Sequence, residues 1–168
     1  MNEFITLTPE ELEGNPFQMI GKQWMLITAG NEEKANTMTA SWGGLGVLWN
    51  KPVSFAFIRP TRYTYEFMER EDAYSLCFFD ETHREALKLC GTVSGRDRDK
   101  IAEGGLTLRY DDGVPYFDQA ETVLVCRKAA VQDMDPAGFL DPDAAGFYNN
   151  DHHRVYVGEI TKVLRRKV

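Results

Sequence analysis

Residues 36–64 read NTMTASWGGLGVLWNKPVSFAFIRPTRYT, and they decide both the fold class and where a site should be sought. At their centre PVSFAFI (52–58) is a nearly continuous, β-prone apolar run, the pattern of a strand buried on both faces. Arg59-Pro60 ends it, because Pro60 has no backbone donor and holds the residue before it out of helical geometry. On the N-terminal side NTMTASW (36–42) is a second strand, whose Thr37, Thr39 and Ser41 offer hydroxyls. Gly43, Gly44 and Gly46 leave room for a ligand to approach the backbone, and Arg59 and Arg62 can meet an anion. Small polar residues, glycines, Trp42 and two arginines around one apolar strand suit a flat, phosphorylated ligand.

Working outward, WMLITAG (24–30) pairs with 36–42 across the polar turn NEEK. After Pro60, residues 61–71 have helical periodicity, with Tyr65, Phe67 and Met68 toward a core and Glu66, Glu69 and Arg70 toward solvent. AYSLCFFD (73–80) returns to a strand. THRE (82–85) has the form of a capping box opening a helix to about Leu89, and a short helix at 100–103 stops at Gly104-Gly105. LTLRY, VPYFD, ETVLVCRKAAVQDM and HRVYVGEITKVLRR alternate as antiparallel strands, broken by Asp-Gly and by the loop DPAGFLDPDAAGFYNND (135–151). The sum is a mainly β chain, a β-barrel with short helices, forming one domain over residues 1–168. A dinucleotide fold with a parallel sheet is disfavoured: Gly44 and Gly46 begin a G-x-G-x-x-G pattern, but position 49 is Trp49.

The 168 residues are 43% hydrophobic and 12% aromatic, enough to bury a core without staples. With 19 basic against 26 acidic residues the net charge is −7, which opposes binding to nucleic acid or to anionic membranes. Three cysteines without C-x-x-C spacing argue against a disulfide framework or zinc knuckle, and so for a reducing, cytoplasmic setting. No apolar run approaches the roughly 20 residues that cross a bilayer, and the acidic N-terminal stretch lacks the features of a secretory signal.

Four constellations carry possible chemistry. Arg59–Thr64 joins a strand to a helix, where free N–H groups and the helix dipole favour an anion; equally, Thr61 or Thr64 caps the helix while Arg62 pairs with Glu66. Thr39–Trp42 offers hydroxyls, backbone groups and an aromatic wall to a ring, or places Trp42 in the core. SGRDRDK (94–100) holds Lys100 near a turn, or is a solvated charged face. His152 and His153 are adjacent, so a strand sends them to opposite faces, and neither they nor His83 complete a zinc spacing. No nucleophile elbow occurs, and Cys90 before Gly91 reads as a buried thiol.

Taken together, NTMTASWG (36–43), Lys51-Pro52, RPTRYT (59–64), SGRDRDK (94–100) and the terminal HRVYVGEI resemble the flavin reductase-like, FMN-binding split-barrel family, which includes the flavoredoxins. The resemblance implies an antiparallel, Greek-key-like split barrel that dimerises with a second copy and holds FMN. Its phosphate would lie near Arg62, Tyr63, Thr64 and Lys100, with Arg59 also among the cofactor-binding residues, and its ring along Met38, Thr39, Ala40, Ser41 and Trp42. Asn36, His153, Cys90 and Gly91 match family positions near the cofactor. The implied activity is hydride transfer from NAD(P)H to flavin and electron transfer onward to a small molecule or an acceptor protein, with no residue assigned as catalytic. The alternatives are a flavoredoxin-like carrier that does not oxidise nicotinamide and a split-barrel interaction domain without flavin.

Overall fold

The computed structural model describes residues 1–168. Its ten strands are β1 (Phe4–Leu7), β2 (Met25–Gly30), β3 (Ala35–Ala40), β4 (Gly43–Leu48), β5 (Lys51–Ile58), β6 (Ala73–Phe78), β7 (Leu108–Asp111), β8 (Val114–Phe117), β9 (Thr122–Asp133) and β10 (Arg154–Arg166). The α-helices are α1 (Pro16–Gln18), α2 (Tyr63–Arg70), α3 (Arg84–Thr92) and α4 (Lys100–Glu103). No helix is long and apolar enough to cross a membrane.

Every strand pairing is antiparallel, in the order β3-β2-β6-β9-β10-β5-β4, with β1 on the far half of β10 and β7-β8 as a separate hairpin. The first and last strands of that path, β3 and β4, are consecutive in the chain, joined only by Ser41-Trp42, and do not pair with each other. The barrel is therefore closed by covalent chain at this point and left without hydrogen bonds, and the edge of β3 keeps backbone donors and acceptors free of a strand partner. This seam is the split of the barrel. β10 passes from its pairing with β5 to its pairing with β1 by bending at two register shifts, after Val157 and after Ile160. Beside the first of these, Gly158 is required: a Cβ there would strike the Tyr74 hydroxyl, which is bonded to Ser54 Oγ at 2.7 Å.

Alternation sorts the strands into two cores. Met25, Ile27, Tyr74, Leu76, Leu124 and Cys126 fill the barrel, while their neighbours Leu26, Cys77, Val123 and Val125 pack outward against α3 and the β7-β8 hairpin. Covering both faces explains why β2, β6 and the first half of β9 are buried along nearly their whole length. At roughly 25 cal/mol per Å² of apolar area buried, each fully buried Leu or Phe in these layers contributes about 1.5–3 kcal/mol.

Three expectations are corrected. The glycine-rich segment 43–48 is a strand, and the side-chain positions of Gly44 and Gly46 face the Phe55 ring, which a Cβ built there would meet at 3.5 and 3.7 Å, rather than a ligand. Pairing with β5 creates β4, through a two-residue turn in which Trp49 and Asn50 both have positive φ. β5 is fully buried at Val53, Ser54, Ala56 and Ile58, whereas Phe55 and Phe57 are only partly buried, so the strand is not enclosed on both faces along its whole length. No Thr82–Glu85 box opens α3: Asp80 accepts from Thr82 N at 3.1 Å and caps a 3-10 turn at Glu81–His83, and α3 then starts at Arg84 with His83 as an N-cap that makes no side-chain bond.

Candidate functional site

Three cavities of about 200, 200 and 280 Å³ meet along the seam, and Arg62 lines all of them. The first runs along Met38–Trp42 to Phe57, Arg59 and His153. The second holds Asn36, Arg62, Tyr63, Thr64, Ser94 and Lys100 at the N-terminus of α2. The third lies between β3 and α3, against Trp24, Thr39, Ser41, Leu87 and Gly91. A wider cleft of about 580 Å³ adjoins the second cavity through Asn36, Arg96 and Lys100. It is open and lined by both signs of charge, with Arg98 paired to Glu103 at 2.6 Å, which makes it a weaker candidate than the smaller three.

The second cavity resolves the choice left open at Arg59–Thr64. Neither Thr61 nor Thr64 caps α2, whose N-cap is Arg62 with no side-chain capping bond. Thr64 Oγ1 instead accepts from buried Asn36 Nδ2 at 2.9 Å, tying β3 to the helix start. Glu66 pairs with Arg96 and not with Arg62. Arg62 is left half-buried without a carboxylate, and burial first, then neighbouring Arg59, disfavours its cation. Arg59 is satisfied: it pairs with Asp151 at 2.9 Å and its guanidinium lies 5.0 Å from the Tyr148 ring centroid. An unpaired, partly desolvated guanidinium beside free helix N–H groups is a seat for an anion. Gly95 closes the cradle, since a Cβ at this position would overlap Asn36 Oδ1.

Lys100 lies deeper than a solvated lysine. It is 4% exposed, and its ammonium donates to the carbonyls of Cys90 (2.9 Å) and Val93 (3.1 Å) at the end of α3. Burial, reinforced by Arg62, brings its pKa down to about 8. It serves first to pin the 94–100 segment to α3, with one donor left for the cavity. The Cys90 thiol, pushed up to about 11 by burial, lines none of the three cavities, and only its carbonyl takes part. Tyr63 lines the second cavity with its ring under Arg96 (4.8 Å) and Lys34 (5.4 Å).

Along β3 the hydroxyls divide. Thr37 is buried, donating to Ile27 O at 3.1 Å and meeting Thr28 Oγ1 at 2.9 Å, so it contributes nothing to a site. The Thr39 hydroxyl donates to Leu87 O and holds α3 against the strand. What the strand presents to a ligand is therefore the backbone of Thr39–Ser41, the Ser41 hydroxyl and Trp42, which is 45% exposed and not core. Trp42 stands edge-on to Phe147 and to His153, at 5.3 and 5.5 Å between centroids. His153 is buried, bonded through Nδ1 to Tyr148 Oη at 2.6 Å, and burial followed by Arg59 lowers its pKa to about 4, so the imidazole is neutral at physiological pH. His152 turns away to Phe139 and Tyr148. No group of three metal-ligating side chains occurs anywhere. Phe57, Leu87 and Thr92 also line the crevice; their positions in apolar or helical runs gave no separate signal.

This donor set fits a flavin mononucleotide: an anion seat at one end, unpaired strand backbone and an aromatic wall at the other. No curated protein matches the chain by sequence comparison. Solved structures do. A flavoredoxin from Methanosarcina acetivorans is 23% identical with a TM-score of 0.65, covering 84% of this chain and 67% of that one. An FMN-binding protein from Thermus thermophilus, solved with p-hydroxybenzaldehyde, is 20% identical at TM-score 0.66, covering 94% and 76%. An FMN-binding domain of a flavin reductase-like enzyme from Shewanella baltica is 14% identical at TM-score 0.68, covering 98% and 78%. These likenesses establish a shared FMN-binding split-barrel fold, and the model of the flavin reductase like domain matches residues 17–167. With nearly its whole length inside that match, the chain belongs to the flavin reductase-like domain family.

Proposed function

We propose that this protein is an FMN-dependent oxidoreductase that accepts hydride from NADH or NADPH and passes the electrons to a further acceptor. The observation that carries the reading is Arg62, a half-buried cation without a protein counter-ion where three cavities meet at a helix N-terminus. In this reading Arg62, Tyr63, Thr64 and the remaining donor of Lys100 hold the phosphate, with Asn36 and Gly95 shaping that end and Arg59 adding positive potential from its pair with Asp151. Met38–Trp42 receive the ring along the unpaired edge of β3, with His153 and Gly91 at its flanks.

Bound flavin supplies the hydride-accepting centre, so the chain needs no nucleophile or strong base of its own. Its residues do the rest. Backbone N–H groups at the seam favour negative charge at a ring edge, and the exposed face of Trp42 leaves an approach for a second planar ring. Neutral His153, oriented by Tyr148, offers a hydrogen bond without adding charge. We further propose that one domain over residues 1–168 forms this unit and that it acts as a homodimer, a reading supported by the resemblance above and by Val47 and Trp49, 77% and 61% exposed, at the β4-β5 turn.

Steady-state oxidation of NADH and NADPH by purified protein with added FMN tests the reductase reading. Turnover with either donor is expected. Tight FMN binding without turnover would replace it with the carrier reading, and failure to bind FMN would remove both.

A further inference from the structure

The segment entering β2 holds an unusual conformation that the roles above do not use. α1 widens into a π-helical turn at Met19–Gln23, and Trp24 follows with φ 70° and ψ 169°, a region adopted almost only by glycine. Such a side chain persists only where its surroundings enforce it. Arg84, at the start of α3, does so: its Nη1 donates to the carbonyls of Lys22 (2.8 Å) and Gln23 (2.9 Å), and its guanidinium lies 3.2 Å from the Trp24 ring centroid. Arg84 has no acidic partner, so this clamp is its work. The indole held in this way lines the third cavity, beside Thr39, Ser41, Leu87 and Gly91.

Thr39 and Ser41 line the first cavity as well as the third, which makes the two cavities neighbouring lobes over one stretch of β3. A planar ring laid along that stretch meets Trp42 toward β10 and, toward α3, an apolar surface made by Leu87 and Trp24. Glycine at position 24 would relieve the backbone, so an enforced tryptophan is a cost to the fold met for the sake of the cavity. We propose that Trp24, clamped by Arg84, is a second aromatic wall of the flavin crevice that contacts the isoalloxazine ring from the α3 side. This rests on the FMN reading above.

The test measures flavin affinity directly, by fluorescence titration of FMN and riboflavin into Trp24→Leu, Trp24→Gly, Trp24→Phe and Arg84→Met, alongside thermal unfolding of each without flavin. Loss of the ring contact should weaken FMN and riboflavin by the same factor, about tenfold, in Trp24→Leu and Trp24→Gly. Trp24→Phe should recover most of the affinity. Trp24→Gly should unfold no earlier than Trp24→Leu, because its φ is relieved, and it carries the test if the leucine variant does not fold. Arg84→Met, which keeps the indole but frees it, should lose less than either. Wild-type binding of FMN with unchanged affinity in Trp24→Gly overturns the inference and leaves the FMN reading standing, as does a loss confined to FMN. A wild-type protein that binds neither flavin overturns both.

Discussion

Replacing Arg62 with methionine separates the roles proposed for this residue, because the stem survives and only the charge and its donors go. Two unit charges about 4 Å apart interact by about 4 kcal/mol at an effective dielectric of 20. Arg62 is only half-buried, and hydrogen bonds to charged groups contribute a net of about 1.5–3 kcal/mol. FMN should therefore bind between about tenfold and about 150-fold more weakly, while riboflavin, which has no phosphate, should change by less than about threefold. The protein without flavin should respond in the opposite direction. Arg62 has no carboxylate partner and sits beside Arg59, so its removal relieves a desolvated cation. A relief of about 1 kcal/mol raises the unfolding midpoint of a chain this size by about 2–4 °C. Fluorescence titration with both flavins and thermal unfolding of flavin-free protein read the two effects. Equal losses for FMN and riboflavin, or a lower midpoint, would refute the assignment of Arg62 as an unpaired anion seat.

Further expectations follow from the same geometry. Lys100 titrates near 8 in the folded protein against 10.5 ordinarily, so the unfolded chain holds that proton more tightly; its penalty on stability is present at neutral pH and is relieved as pH rises from about 8 to 10.5. The preference for FMN over riboflavin should fall over the same rise, as the ammonium is lost, and Lys100→Met should abolish that fall in paired titrations. His153, at about 4 when folded and near 6.5 when unfolded, stays neutral while the unfolded chain takes up a proton, so stability should drop as pH falls from about 6.5 to 4; His153→Gln should show a shallower drop in denaturant unfolding. Gly95→Ala drives a Cβ into Asn36 Oδ1 and should cost about 1–3 kcal/mol in denaturant unfolding, with FMN affinity falling more than riboflavin affinity as the Asn36–Thr64 bond is displaced.

The β-prone segments at 25–30, 73–78 and 122–126 were legible as strands because each face has its own core to fill. β4 was not, since GGLGVL has neither alternation nor β-prone residues at its start and becomes a strand only through its register with β5. Within the site, the residue types were readable and the pairings were not. Whether Glu66 meets Arg62 or Arg96 depends on a loop 30 residues away in sequence, and that choice alone turns Arg62 from a surface ion pair into an unpaired cation. Likewise, nothing local to SGRDRDK shows that Lys100 reaches the carbonyls of Cys90 and Val93. Thr37 and Thr39 show the limit of counting hydroxyls: both belong to the same strand edge motif, yet sheet and helix carbonyls claim them before any ligand can.

A crystal structure of the protein grown with FMN tests the central claim most directly. The phosphate is expected within hydrogen-bonding distance of the Arg62 guanidinium and the first N–H groups of α2, with the ring along Thr39–Trp42. Flavin bound elsewhere, or the cavity between β3 and α2 closed by side chains while Arg62 finds a carboxylate, would contradict it.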